Sequence, residues 1–252
     1  MDQETTNLLP YSQTSHPTLA AARETRQILA HALLPELARP IAYKPWLVKR
    51  RDDEQEHRAG FSRQRIGDSY SIAALYLSTE RIPTGLAMMA PQRIIFQTRA
   101  ADQGWATFGG DGTFDNSHTW FEASILRPLD SRAPNEADTP LEDVLQDTWW
   151  DVSRARNDLM AHGWDFVEGA DERIAWRVCN NLTATGDYRN YKVEWTRGVE
   201  TNVEDERAVG RGEGFLELLQ PGCIVVLWAR AEQLNWVNHV AAATIEIEYD
   251  FL

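Results

Sequence analysis

The side chains best suited to ligand chemistry alternate along one short segment near the middle of the chain. His118, Trp120 and Glu122 share one face of a strand that the composition predicts from His118 to Leu126. An imidazole and a carboxylate can exchange protons with a ligand, and an indole can cover its apolar surface. At strand rise His118 and Glu122 lie about 13 Å apart, too far for a direct acid–base pair, although His239 could supply a partner. We therefore predict ligand contacts on this face and assign no catalytic residue.

A second set of candidates combines tryptophan with Asp or Asn in loops between strands. Asp102 precedes Trp105 in a loop rich in Gly and Asp, and Trp236 precedes Asn238 in a turn. An Asp or Asn at such a place can bond a sugar hydroxyl or another polar ligand group while the ring covers the apolar face. The alternative is structural, because Asp and Asn commonly fix their own turns and Trp usually belongs to the core of a sandwich.

Two arginines complete the ligand-binding candidates. Arg99 and Arg230 each end a predicted strand and could hold an acidic ligand. A guanidinium also pairs readily with a carboxylate of its own chain, so we favour pairing with Asp102 or Glu232.

Other kinds of site find little support in the sequence. No Gly-x-Ser-x-Gly elbow, His-Glu-x-x-His helix or paired-cysteine spacing occurs, and the six histidines are scattered, so we predict neither a metal nor a cofactor. Gly210, Gly212 and Gly214 suggest a phosphate loop, but the flanking strand, helix and Lys-Ser/Thr are missing, and Glu213 would repel phosphate. A tight turn that needs positive φ is the alternative.

Composition and charge bound the class of protein. The 252 residues are 43% apolar and 25% charged, which is typical of a globular protein, and the ten tryptophans are about three times the ordinary usage. Residues 1–127 carry 14 basic and 14 acidic side chains, whereas 128–252 carry 11 and 24, so the net charge of −13 belongs to the second part. Such a field repels phosphate backbones, and we predict no nucleic-acid partner.

The compartment is predicted from the first residues of the chain, from its apolar windows and from its two cysteines. The first residues lack a signal-peptide pattern, and no window approaches the roughly 18 apolar residues that cross a membrane, so we predict a cytoplasmic protein without a membrane partner. Cys179 and Cys223 each lie in a strand-like apolar run and are expected to be buried free thiols.

The chain divides into four segments. We predict a disordered leader at 1–17, an N-terminal helix and a first β half at 18–127, a linker at 128–140 and a second β half at 141–252; one continuous domain at 18–252 is the alternative. Thr18 can cap a helix that runs to about Leu34. The Thr139–Glu142 capping box predicts a helix to about Asp151, followed by strand and loop to Trp164.

Alternating apolar residues bounded by turn residues predict a mainly β fold. No helical run separates the later strands as in a parallel α/β sheet, so we expect an antiparallel β-sandwich, jelly-roll-like, with an N-terminal helix. Segments 93–98 and 173–178 resemble each other, so the sandwich could consist of two related halves, or the similarity could be chance.

Four sequence elements carry a resemblance to a known family. They are Asp-Gln-Gly-Trp at 102–105, Thr-Trp-Phe-Glu at 119–122, Gly-Arg-Gly-x-Gly-Phe at 210–215 and Leu-Trp-Ala-Arg-Ala at 227–231, the last followed by Trp-Val-Asn at 236–238. Together these elements resemble a mostly fungal family of intracellular β-sandwich proteins that has no established activity. The resemblance covers roughly 92–252 and departs at Gly222-Cys223, where similar sequences carry Gly-Asp. It implies a fold and leaves the function open.

Two functions compete on the sequence alone. The first is a ligand- or protein-binding β-sandwich with a tryptophan-lined recognition surface. The second is a cofactor-independent enzyme of small-molecule, secondary metabolism, such as an isomerase or cyclase, with one or two acid–base residues in an aromatic pocket. An interaction scaffold with an exposed apolar face is a third. The oligomeric state is left open.

Overall fold

A computed structural model describes residues 19–32, 46–59, 70–82, 89–107, 109–129 and 139–251. The predicted leader at 1–17 and most of the predicted linker at 128–140 lie outside these residues. Helix α1 occupies Leu19–Ala32. Eleven strands follow within the described residues: β1 Trp46–Arg51, β2 Gln55–Arg58, β3 Ser71–Ser78, β4 Met89–Ala101, β5 Thr119–Pro128, β6 Thr148–Trp149, β7 Trp164–Phe166, β8 Trp176–Asn180, β9 Arg189–Thr196, β10 Ile224–Glu232 and β11 Val237–Phe251.

The strands form two antiparallel sheets. Sheet A has the order β1–β11–β4–β9, and β2 pairs with β11 beyond the end of β1. Sheet B has the order β6–β3–β10–β5–β7, and β8 also pairs with β5. The predicted antiparallel β-sandwich is confirmed. Both sheets combine strands from before and after the 128–140 segment.

The main core lies between the two sheets. Along β10, Val225, Leu227 and Ala229 point into it, as the two-residue period of a strand requires. Aromatic rings fill its centre: the centroids of Phe96 and Trp195 are 5.0 Å apart, and those of Trp195 and Phe215 are 5.1 Å apart. Other fully buried members of this core include Tyr76, Leu77, Ile94, Phe121 and Ile125.

A second core covers the outer face of sheet B. The alternate residues of β10, including Val226 and Trp228, pack there beneath the segment 141–166. Trp228 is completely buried, lies edge-on to Trp149 at 6.0 Å, and donates its indole N–H to Ser124 Oγ at 3.0 Å. Strand β10 is therefore apolar on both faces over most of its length, because each face has its own core.

The segment 141–166 departs from the sequence-based prediction. Helix α2 covers only Leu141–Val144, and β6 then pairs with β3, so the prediction of a helix to Asp151 was wrong. Thr139 does not cap α2; instead Ser78 of β3 accepts the Leu141 N–H at 3.1 Å and donates to Glu142. A tertiary contact thus replaces the local cap.

The following residues are helical where strand and loop were predicted. A 3-10 helix at Val152–Ala155 leads into helix α3 at Arg156–Ala161. Asp151 starts this helical stretch by accepting the Ser153 N–H at 2.9 Å. A shorter helix, α4, occupies Phe215–Leu218. None of the helices in the described part of the chain is long and apolar enough to cross a membrane.

His57 on β2 is a buried titratable group of the fold. Its ring lies edge-on to Tyr76 at 6.0 Å, and its Nε2 has no hydrogen-bond partner among the described residues. Burial lowers the pKa of His57 to about 4, and the positive charge of Arg51 acts in the same direction. Between about pH 4 and pH 6.5, His57 therefore binds a proton in the unfolded chain but not in the folded protein.

We expect the free energy of unfolding to fall as the pH is lowered from about 6.5 to about 4, by up to about 3 kcal/mol from His57 alone. Below pH 4 both states are protonated, and the loss from this group is complete. Urea unfolding at pH 7, 5.5 and 4 measures the effect, and His57→Phe should remove that part of the pH dependence. Substitution of the exposed His162 provides a control, since His162→Gln should leave the contribution of His57 to the pH dependence unchanged. An equal acid loss in His57→Phe and in the unsubstituted protein would contradict this assignment.

Candidate functional site

A buried carboxylate connects the loops at one end of the sandwich. Asp102 directly follows β4 and is only 1% exposed. Its Oδ1 accepts the indole N–H of Trp236 at 2.7 Å and the Thr119 hydroxyl at 3.3 Å. Its Oδ2 accepts the backbone N–H of Ala184 at 2.8 Å. Three donors from three other segments thus compensate one desolvated charge.

Two asparagines extend this network towards sheet B. Asn181 Nδ2 donates to Thr119 Oγ1 at 3.0 Å and to Asn238 Oδ1 at 2.9 Å. Asn238 is fully buried, and its Nδ2 donates to the backbone carbonyls of Trp120 and Arg230, both at 3.1 Å. The side chains of Asp102 and Asn238 are therefore engaged within the chain. They support the ligand-binding candidates around them instead of facing solvent.

An exposed indole rests on this buried network. Trp105 is 56% exposed, and its ring centroid lies 5.6 Å from that of Trp236, which is buried. The His118 ring lies edge-on to Trp236 at 4.8 Å, and its Nδ1 is 3.3 Å from Glu232 Oε1. We call Trp105, Trp236, His118 and Glu232 the aromatic platform. Because Asp102 holds the Trp236 indole, the platform has a fixed base.

Next to the platform, two guanidinium groups pack on a tryptophan. The Cζ atoms of Arg177 and Arg230 lie 4.3 Å and 5.1 Å from the Trp120 ring centroid. Glu122 contacts both: its Oε2 is 2.5 Å from Arg230 Nη1, and its Oε1 is 3.8 Å from Arg177 Nη2. We call these four residues the arginine–tryptophan cluster. Such geometry combines cation–π attraction with ion pairing.

The structure brings four of the nine ligand-binding candidates together on one face of sheet B. His118, Trp120 and Glu122 share the outer face of sheet B, as the alternation predicts, and Arg230 lies opposite Trp120 on β10. Arg230 pairs with Glu122 and not with Glu232, which faces His118 instead, so that predicted pairing was wrong.

Arg99 and His239 lie elsewhere, on sheet A. Arg99 Nη1 is 3.5 Å from Asn190 Oδ1, and its Cζ is 5.6 Å from the Tyr188 ring centroid, so it does not pair with Asp102. His239 Nδ1 is 3.4 Å from Glu56 Oε1. Among the described residues, neither side chain contacts His118 or Glu122.

Sequence reasoning missed Arg177 as a member of the site. Its position depends on the pairing of β8 with β5, which brings Arg177 opposite Glu122 across an irregularity between Phe121 and Glu122. A register shift of this kind has no local signal in the sequence. The only indication was the alternation of Trp176 and Arg177, one facing the core and one facing solvent.

The glycine-rich segment forms turns with positive φ, as the alternative interpretation of its glycines expects. Gly212 and Gly214 have positive φ values of 66° and 74°. A Cβ on Gly212 would lie 2.1 Å from the Trp195 ring, and one on Gly210 would lie 1.9 Å from the Arg177 carbonyl oxygen. These close approaches leave no room for a side chain at Gly210 or Gly212.

Reactive thiols and metal ligands do not contribute to this region. Cys179 and Cys223 are free and buried, and burial raises the pKa of Cys179 to about 12. Within the residues that the structure covers, no group of three or more His, Cys, Asp or Glu side chains is arranged to hold a metal ion.

The chain was also compared with known proteins. No protein-family model matches it, and no curated protein does either. The interpretation of the site therefore depends on its own geometry. An exposed indole, a half-buried imidazole and guanidinium groups can bind a ligand through stacking, hydrogen bonds and ion pairs.

Asp102→Ala should destabilise the protein by about 3 kcal/mol or more, since it leaves three buried donors without their acceptor. Asp102→Asn should cost about 2 kcal/mol, because its NH₂ group must face a donor. Urea unfolding measures both, and Asp111→Asn in the exposed part of the same loop is the matched control. A loss below about 1 kcal/mol for Asp102→Ala would show that the network does not hold these loops.

Proposed function

We propose that this protein is a ligand-binding β-sandwich that recognises a small molecule or a protein through the aromatic platform and the adjoining arginine–tryptophan cluster. The exposure of Trp105 carries this proposal. A large aromatic ring that is 56% in water offers apolar area that a ligand can bury. Trp236 supports the ring from below, so little conformational freedom is lost when a ligand stacks on it.

The polar groups around Trp105 favour an oriented ligand. Glu232 keeps 41% of its side chain in solvent, and the His118 imidazole lies edge-on to the Trp236 indole at 4.8 Å. A few placed polar groups around an apolar surface are what orient ligands in binding sites. Hydroxyl-bearing ligands such as sugars fit this combination.

We also propose that the sandwich is a jelly roll. With β1 and β2 counted as one strand, the sheet orders β1–β11–β4–β9 and β3–β10–β5–β8 support this topology, since they correspond to two interlocked Greek keys. This topology brings the β4–β5, β8–β9 and β10–β11 connections to one end, where Asp102, Ala184 and Trp236 meet. Loop ends of a rigid sandwich are common binding sites.

Membership of the fungal β-sandwich family and a cytoplasmic location remain part of the proposal. Three of the family's four sequence elements contribute to the site, through Trp105, Trp120 and Arg230. Two free, buried cysteines fit a reducing compartment.

The enzymatic alternative finds less support in these contacts. His118 faces Glu232, and Glu122 faces two arginines, so no described contact makes His118 and Glu122 an acid–base pair. The space between the sheets is filled by large side chains such as Phe96, Trp195 and Phe215. A binding role therefore accounts for more of the structure than an isomerase or cyclase does.

We expect a saturable change in tryptophan fluorescence when the protein is titrated with a ligand from a panel of oligosaccharides, metabolites and peptides. Trp105→Ala should abolish that change with little effect on stability, because the ring is mostly in solvent. Trp150→Ala is the control, since Trp150 is also partly exposed and stacks with Arg154 at 4.5 Å in the covering segment. Binding that persists unchanged in Trp105→Ala, or a panel that contains no Trp105-dependent ligand, would contradict the proposal.

A further inference from the structure

A cleft of about 350 Å³ lies beside the arginine–tryptophan cluster, between β8 and the segment 206–213. Its size falls in the range of small-molecule sites. Arg177 belongs to both places, since its side chain covers Trp120 and also lines the cleft. Arg173 and Arg211 are further lining residues, with Ala175 and Val209 as the apolar part.

Hydrogen bonds hold the segment 206–213 against β8. Asn180 N–H donates to the Ala208 carbonyl at 2.8 Å, and Gly210 N–H donates to the Val178 carbonyl at 3.0 Å. The indole N–H of Trp195 donates to the Gly210 carbonyl at 2.9 Å. A cleft with fixed walls requires little reorganisation when a ligand enters.

Arginines outnumber carboxylates along the cleft. Its lining contains Arg173, Arg177 and Arg211 against Glu206 and Glu213. Arg211 and Arg177 keep 33% and 41% of their side chains in solvent, and Arg173 is also exposed. The formal charge of the lining is therefore positive, opposite in sign to the net charge of −13.

The positive charges of the cleft are only partly compensated. The guanidinium group of Arg173 has no ion-pair or hydrogen-bond partner among the described residues. Arg211 pairs with Glu200 and Glu206, but such exposed pairs are weak and can be exchanged for a ligand. Burial lowers the pKa of Arg177, and Arg230 acts in the same direction against the attraction of Glu122.

We propose that this cleft binds a small organic anion, whose carboxylate or phosphate group is held by Arg173, Arg177 and Arg211. Planar guanidinium groups bind both kinds of anion through paired hydrogen bonds. Ala175 and Val209 contact the apolar part of the ligand. This second site shares Arg177 with the arginine–tryptophan cluster but uses neither Trp105 nor the rest of the aromatic platform, so it adds a separate anion site to the function proposed above.

Isothermal titration of the full chain with citrate and with inorganic phosphate tests this site, and the two probes separate carboxylate from phosphate recognition. We expect saturable binding of at least one probe. Arg173→Gln and Arg211→Gln should each weaken it about tenfold or more, as expected for the loss of a charged partner. Arg154→Gln, which removes an exposed arginine outside the cleft, should bind like the unsubstituted protein.

A second measurement keeps the result independent of how the variants fold. In NMR spectra of the unsubstituted protein, the backbone amide signals of Gly210 and Gly212 should shift in a saturable manner when the anion is added. They should not shift with glycerol, a neutral probe. The proposal is overturned if neither anion binds, if Arg154→Gln weakens binding as much as the two cleft variants do, or if the glycine signals respond equally to glycerol. Trp105→Ala should bind the anion normally, which separates this site from the proposed ligand-binding surface.

Discussion

The carboxylate of Asp102 is the constraint on which one end of this protein depends. A charge removed from water is tolerated only when hydrogen bonds replace its hydration, and here an indole, a hydroxyl and a backbone amide do so. Those three groups belong to the start of β5, to the β8–β9 connection and to the β10–β11 connection. The compensation therefore fixes the relative positions of loops that are far apart in sequence, and it fixes Trp236 beneath Trp105.

The segment 141–166 covers only part of the outer face of sheet B, and the candidate site lies on the part that it leaves uncovered. The segment 141–166 buries Val226 and Trp228, so this part of β10 is apolar on both sides. Beyond Trp228 the outward side chains become Arg230 and Glu232, and these join the charged and aromatic groups of β5. One strand thus belongs to the second core at one end and to the candidate site at the other.

Local periodicity predicted much of the fold and part of the site. The alternation of His118, Trp120 and Glu122 sufficed to place them on one face, because a strand has a period of two whatever its partners are. The helix predicted to Asp151 was wrong because Ser78, some sixty residues earlier, caps α2 and because β6 pairs with β3. Arg177 was missed because its place depends on a strand register. Local signals could not indicate these long-range contacts, and no local signal separates buried Trp236 from exposed Trp105.

Strand β11 is a central strand of sheet A, and it pairs with β1, β2 and β4. In chain order β11 follows the ten other strands of the described residues, so it is translated after them. On the ribosome β1, β2 and β4 must therefore wait for their partner, with apolar side chains such as Ile94 and Phe96 not yet enclosed. Pairing over such sequence distances is slow. The sandwich can consequently close only after β11 has been synthesised, and until then the apolar faces of its partner strands are open to non-native contacts.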